Sequence, residues 1–254
     1  MKKRMTSFLM ALVMVVGMCI PASAVETGPE TLELIPVENM GPSTKVTVIN
    51  DDVYTEEAMP LEIGSAPQDE LPDDATAYAI RNTAYPKQVR IYPIVLNTQT
   101  AEAFIINSIS RSASWTNGAQ YESLSLSPDQ VQAFINQVTN FLLTNSSTSG
   151  STWALIGWYV DATVLLTAER PRRVEVAPYF PQAGTKYETE TLAISSQTVE
   201  LHLSQEFYFA PNMNLEAFYY LGFDGNFYYT YTSGSNQGKE GGTNFSIGVM
   251  MNDT

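Results

Sequence analysis

Apolar and polar residues alternate over most of the chain from about Thr76 onwards, which is the spacing of half-buried β-strands. Aromatic and β-branched side chains are dense there, as strands favour. The segment 104–114 also fits a helix, but the Ser, Asn and Thr residues around it favour a strand. The pattern predicts strands at 89–92, 104–114, 153–160, 163–168, 172–178, 187–194, 198–208, 215–221, 227–232 and 243–250.

One segment has helical periodicity instead. Ser127 is a predicted N-cap, Pro128 takes the first helical position, and Gln130 completes a capping box. The helix is expected to end near Thr144, before a run of Asn, Ser, Thr and Gly. Its apolar face comprises Val131, Phe134, Ile135, Val138, Phe141 and Leu142.

Many strands and a single helix predict a mainly β, α+β fold. We expect an antiparallel β-sheet or sandwich-like domain with one amphipathic helix packed on it. The strand 172–178 has prolines at or near its ends, and it is a candidate sheet edge for a protein partner.

The first 24 residues have the layout of a secretory signal peptide. Lys2, Lys3 and Arg4 precede the apolar run 8–20, and small residues at 21–24 predict cleavage after Ala24. The apolar run is short for a membrane span, so no span is expected after cleavage. A lipoprotein signal fits less well, because Met18 stands before Cys19 where a small residue is needed. We therefore expect a secreted, extracellular or envelope-associated protein of bacterial origin.

Residues 25–75 differ in composition from the rest of the chain. They contain thirteen acidic side chains and one basic one, recurrent prolines and a single aromatic residue, Tyr54. Such composition is typical of a disordered leader, either a spacer or a removable pro-segment. A short strand is expected at 45–49, with a turn at 50–52. The expected organisation is a signal peptide at 1–24, an acidic leader at 25–75 and a β-rich domain at 76–254.

Charge and cysteine content exclude several classes of function. The formal net charge of −14 at pH 7 disfavours binding to nucleic acid. Cys19 is the only cysteine and lies in the predicted signal peptide, so the secreted domain is expected to lack disulfides and thiolate metal sites. We expect no cofactor and no metal. His202 is the only histidine, and no nucleophile motif accompanies it.

The strongest local signal is a predicted hairpin whose two-residue turn is Asp224-Gly225. In that register one face carries a ladder of aromatic side chains: Phe218, Tyr220, Phe227, Tyr229 and Tyr231. Such a face can stack against sugar rings, and it can equally form half of a sandwich core. Trp115 beside a predicted turn is a further candidate contact, or a cap on a sheet edge.

Three functions remain open at this stage. The favoured one is a secreted, non-enzymatic binding or adhesion protein that recognises a glycan or the cell wall through the aromatic hairpin face. The second is a secreted protein-interaction or structural envelope protein with a cell-surface protein partner. The third is a glycoside hydrolase or lyase that uses a pair of carboxylates from Glu188, Glu190, Glu200 and Glu206.

Overall fold

A computed structural model of the protein describes residues 34–36, 43–53, 82–150, 152–180, 187–209 and 219–251. For 43–53 and Tyr219 only the backbone is described. The strands are β1 (Leu34–Pro36), β2 (Ser43–Val53), β3 (Thr83–Asn97), β4 (Glu102–Ile106), β5 (Arg111–Ser114), β6 (Tyr121–Leu126), β7 (Trp153–Thr167), β8 (Pro171–Tyr179), β9 (Glu190–Ala193), β10 (Ser196–Tyr208), β11 (Tyr219–Thr230) and β12 (Glu240–Met251). Helix α1 spans Pro128–Ser149, and a single 3₁₀ turn spans Gly234–Asn236.

These strands form two sheets. The first sheet has the order β1-β4-β3-β7-β10-β2, with β5 also paired to β3, and its described pairs are antiparallel. The second sheet has the order β6-β12-β11-β8-β9, in which β6 and β12 run parallel and the other pairs antiparallel. The expected β-rich α+β architecture is confirmed, and it includes one parallel pair.

One continuous apolar layer holds the two sheets together. It takes alternate residues from strands of both sheets, as β-sandwiches do. Trp158 on β7 and Leu201 on β10 contribute from the first sheet. Val174 on β8, Phe227 on β11 and Ile247 on β12 contribute from the second, and all five side chains are buried.

Helix α1 begins as the sequence predicts. The Ser127 side chain accepts a hydrogen bond from the Gln130 backbone, and the Gln130 side chain accepts one from the Ser127 backbone. Phe134 stacks on Trp158 with ring centroids 5.0 Å apart, so the helix covers the core-facing side of the first sheet. The helix continues beyond the predicted end at Thr144 to Ser149, where Gly150 adopts the left-handed conformation that closes it.

Several predicted strand boundaries are wrong because pairing continues through them. The predicted strands 153–160 and 163–168 are one strand, β7, which pairs with β3 on one side and β10 on the other. The predicted turn at 50–52 is part of β2. The segment 172–178 belongs to β8, which lies between β11 and β9, so it is not a sheet edge.

Strands β1 and β2 lie within 25–75, the segment expected to be a disordered leader. β1 pairs with β4 at one edge of the first sheet, and β2 pairs with β10 at the other. These two stretches therefore belong to the sheet of the domain. The signal peptide at 1–24 and the remainder of 25–75 lie outside the described residues.

The predicted hairpin is also wrong. Asp224 and Gly225 lie in the middle of β11, where they pair with Ser246 and Phe245 of β12 and with residues of β8 on the other side. A turn at this point would remove the ladder bonds on both sides of the strand. Gly225 also has no positive φ, which the predicted type of turn would require.

We predict that Phe227→Ala destabilises the protein by about 3–5 kcal/mol, because it opens a cavity in the layer shared by the two sheets. Urea unfolding followed by circular dichroism measures this change. Tyr121→Ala, at a side chain that is 63% exposed, is the control and should change the stability by no more than about 0.5 kcal/mol. Equal losses of stability for the two variants would contradict the burial of Phe227 between the sheets.

Candidate functional site

The structure divides the predicted aromatic ladder between two faces of β11. Phe227 and Tyr229 point into the core and are buried. Tyr231, just after the strand, packs against the same core and meets Tyr229 edge to face at 5.4 Å between ring centroids. Tyr220 lies on the opposite, outer face, and Phe218 lies outside the described residues.

This division follows from strand geometry. Side chains alternate between the two faces of an uninterrupted strand, so an even-numbered and an odd-numbered residue of β11 cannot share a face. The predicted turn at Asp224-Gly225 would place Tyr220 directly opposite Tyr229 on the paired strand, with both side chains on one face. Without that turn, the structure supports the core interpretation for Phe227 and Tyr229 and does not support a binding face built from them.

Trp115 is also not the exposed contact that was considered. Its side chain is half-buried and packs against the core between the sheets. Its backbone N–H donates to the Lys87 carbonyl oxygen at 2.8 Å, which fixes the chain just after β5. These contacts give Trp115 a packing role at the end of the first sheet.

The outer face of the second sheet carries a different set of aromatic and polar side chains, which we call the tyrosine face. The strand registers bring together on it side chains from β6, β8, β11 and β12. Four large hydrophobic or tyrosine side chains are exposed in the described part of the chain, and two of them, Tyr121 (63% exposed) and Tyr179 (44% exposed), lie on this face. Its members are Tyr121, Ser123, Tyr179, Tyr220, Gly222, Asp224, Asn226, Asn244, Ser246 and Gly248.

Gly248 lets the ring of Tyr220 lie flat against this face. Gly222 of β11 pairs with Gly248 of β12. A Cβ atom at Gly248 would lie 2.6 Å from the hydroxyl oxygen of Tyr220, so a larger residue there would displace the ring. The Tyr220 hydroxyl is 2.9 Å from Ser246 Oγ, and its ring centroid is 5.9 Å from that of Tyr179. Tyr220 therefore has a fixed orientation beside Tyr179.

The hydroxyl of Tyr220 keeps its proton over the neutral range. Burial of the ring raises the pKa of Tyr220 to about 12, although the hydrogen bond to Ser246 opposes this effect. A protonated hydroxyl both donates and accepts hydrogen bonds. The tyrosine face thus combines a fixed aromatic ring with neutral polar groups, which is an arrangement suited to a polar ligand that has flat apolar surfaces.

One end of the tyrosine face is closed by an ion-pair cluster. The Arg173 guanidinium stacks on Tyr228, with Cζ 3.8 Å from the ring centroid. Arg173 also donates to Glu240 Oε2 at 2.7 Å and to Glu175 Oε1 at 3.1 Å, and its hydrogen bond lowers the pKa of Glu240. The ring of Tyr228 is therefore covered by Arg173, and the charge of Arg173 is already paired with carboxylates.

The outer face of the first sheet carries a network of ionisable groups. Arg90 Nη1 donates to the Tyr92 hydroxyl at 3.0 Å, and the Asp161 carboxyl interacts electrostatically with both side chains. Burial raises the pKa of Asp161, although Arg90 opposes this effect. Burial likewise raises the pKa of Glu206, which accepts a hydrogen bond from Tyr208 at 3.2 Å. Most of these polar and charged groups therefore already have a partner within the network.

The four predicted catalytic carboxylates are not brought together. Glu188 and Glu190 lie at the outer edge of the second sheet, where β9 begins, and both are exposed. Glu200 and Glu206 lie on β10 of the first sheet. His202 Nε2 lies 3.6 Å from Glu200 Oε2, with both side chains partly exposed.

Two further findings concern the described residues. No group of three or more His, Cys, Asp or Glu side chains in them is arranged to hold a metal ion. None of the helices they form has the length and apolar content required to cross a membrane.

No protein-family model matches this chain, and no curated protein sequence is similar to it.

The sequence contains a pattern that predicts part of the tyrosine face. The hairpin interpretation missed it, because it divides that pattern between two strands. If 219–230 is treated as one strand, alternation places Tyr220, Gly222, Asp224, Asn226 and Tyr228 together on one face. The contribution of Tyr121 has no comparable signal, because β6 joins the sheet through a parallel pair with β12, which is distant in sequence.

We predict that Asp161→Asn raises the urea midpoint at pH 7. The pKa of Asp161 is higher in the folded chain than in the unfolded chain, so ionisation above that pKa costs stability, and the neutral amide avoids this cost. The gain should shrink as the pH falls towards the ordinary pKa of an aspartate, where Asp161 itself becomes protonated.

Denaturant titrations from pH 3 to pH 8 test this prediction. Glu102→Gln, at an exposed carboxylate where β4 begins, controls for the general effect of removing one negative charge. A gain for Asp161→Asn that is equally large at pH 3 and pH 7 would contradict the explanation by ionisation.

Proposed function

We propose that this protein is an exported, non-enzymatic binding protein that attaches to a carbohydrate chain of a cell surface or cell wall through the tyrosine face. The observation that carries the proposal is the row formed by Tyr179, Tyr220 and Tyr121 on the outer side of the second sheet. Sugars present apolar ring faces and hydroxyl edges, and tyrosine offers a matching ring and hydroxyl.

The positions of the tyrosines favour an extended ligand more than they favour a single sugar. Tyr179 lies on β8, Tyr220 on β11 and Tyr121 on β6, and β12 lies between the last two. Strands are about 4.8 Å apart, so the row crosses about 14 Å perpendicular to the strands. A chain lying across the strands would contact all three rings.

The polar side chains beside the row support the same kind of ligand. Asn226 and Asn244 are opposite each other in the ladder, next to the pair formed by Asp224 and Ser246. Within the described part of the chain, the side chains of Asn226 and Asn244 form no hydrogen bonds. Amides that donate and accept are suited to the hydroxyl groups of a sugar.

The proposal of export rests on the amino-terminal sequence. Residues 1–24 have the charge, apolar run and small residues of a secretory signal peptide. The acidic composition of 25–75 is consistent with a protein kept soluble outside the cell. Mass spectrometry of the protein recovered from the medium or envelope of an expressing bacterium would reveal cleavage after Ala24.

We predict that a Tyr121→Ala, Tyr179→Ala double variant binds its glycan at least about fivefold more weakly than the wild type. Each ring is expected to contribute about 0.5–1.5 kcal/mol of stacking energy, and about 1.4 kcal/mol corresponds to a tenfold change in Kd. Binding is measured by calorimetry or affinity electrophoresis against purified glycans and cell-wall fragments.

Tyr208→Ala is the matched control for this experiment. Tyr208 is 39% exposed, close to the value for Tyr179, but it lies on the outer face of the first sheet. The control should bind as the wild type does, and circular dichroism verifies that all variants are folded. A folded double variant with unchanged affinity would contradict the proposed site.

A second candidate function is binding of a protein partner at the edge of the second sheet. The strand β6 ends that sheet, and among the described strands of the sheet it pairs only with β12. An edge strand with an unpaired side can accept a strand from another chain. Loss of partner binding in a Ser123→Pro variant, with glycan binding absent from the wild type, would favour this function.

A further inference from the structure

The charges around the tyrosine face define the class of carbohydrate that fits it. On this face Asp224 is exposed and lies beside Tyr220, whose ionisation its negative charge disfavours. In the two strands next to β11, the residues that pair with Asp224 are Ala177 and Ser246, and neither is charged. Within the described residues, no ion pair involves Asp224.

The cation nearest to this site along the sheet is already neutralised. Arg173 contacts both Glu175 and Glu240 and is stacked on Tyr228. Together with Asp224, these charged residues comprise three carboxylates and one guanidinium group, so their net charge is negative. An anionic ligand on the tyrosine face would therefore meet an unpaired carboxylate and no unpaired guanidinium or ammonium group among the described residues of the face.

The remaining polar groups of the site are neutral. Ser123, Ser246, Asn226 and Asn244 supply hydroxyls and amides, which donate and accept hydrogen bonds without requiring a charge on the ligand. Recognition of carboxylate or phosphate groups normally uses arginine or lysine side chains.

We propose that the carbohydrate bound by the tyrosine face is an uncharged chain, and that Asp224 selects against chains bearing carboxylate or phosphate groups. This inference rests on the proposed function and concerns the same site. Selectivity arises here from a repulsive element as much as from attractive contacts. An exposed carboxylate repels a nearby anion more strongly at low ionic strength, so the selectivity should depend on salt.

The test compares neutral and carboxylated forms of the same polymer backbones. The probes are hydroxyethylcellulose with carboxymethylcellulose, dextran with carboxymethyl-dextran, and neutral N-acetylglucosamine hexamer with a hyaluronate fragment of similar length. Affinities are measured at 20 mM and at 500 mM NaCl. We expect the neutral member of at least one pair to bind at least tenfold more tightly at low salt, and the difference to narrow at high salt.

Asp224→Asn is the decisive variant, because it removes the charge and keeps the size of the side chain. It should reduce the preference for the neutral polymer to about threefold at low salt. Glu102→Gln, at an exposed carboxylate where β4 of the first sheet begins, removes one negative charge elsewhere and should keep the full preference.

The outcomes separate this inference from the proposed function. Equal binding of the two forms, tighter binding of the carboxylated form, or an unchanged preference in Asp224→Asn would overturn the role of Asp224 and leave carbohydrate binding standing. Failure of every probe to bind the folded wild type would overturn both.

Discussion

The side chains that β11 turns towards the first sheet have to fill the apolar layer between the sheets. Leu221, Phe223, Phe227 and Tyr229 all enter that layer and are buried. Strand geometry then fixes the remaining residues of β11, because every second side chain must point the other way. The outward position of Tyr220 and Asp224 is therefore a consequence of core packing, and so is the existence of the tyrosine face.

Features encoded by neighbouring residues could be predicted from the sequence, and features encoded by distant pairing could not. The start of helix α1 depends on Ser127 and Gln130, three residues apart, and it was predicted correctly. The Asp224-Gly225 turn was also a local prediction, and it failed because pairing on both sides outweighs a local turn preference. Register decides which side chains share a face, and a single sequence contains little direct information about it.

Small residues on the tyrosine face have a structural purpose that only the register reveals. In isolation, Gly222 and Gly248 are weak strand residues, because glycine loses more backbone entropy than other residues. Gly248, which pairs with Gly222 in the ladder, leaves the space that the ring of Tyr220 occupies. The ring of Tyr220 therefore covers Gly248, and only the strand register brings these two residues together.

The outer faces of the two sheets use their polar residues differently, and this difference favours the tyrosine face as the binding surface. On the first sheet, Arg90 donates to the Tyr92 hydroxyl and interacts electrostatically with the Asp161 carboxyl, so a ligand would have to replace an existing hydrogen bond. On the outer face of the second sheet, Arg173 forms ion pairs with Glu175 and Glu240. The amides of Asn226 and Asn244 form no hydrogen bonds with other described residues, so a ligand there gains hydrogen bonds without first breaking any of the described ones.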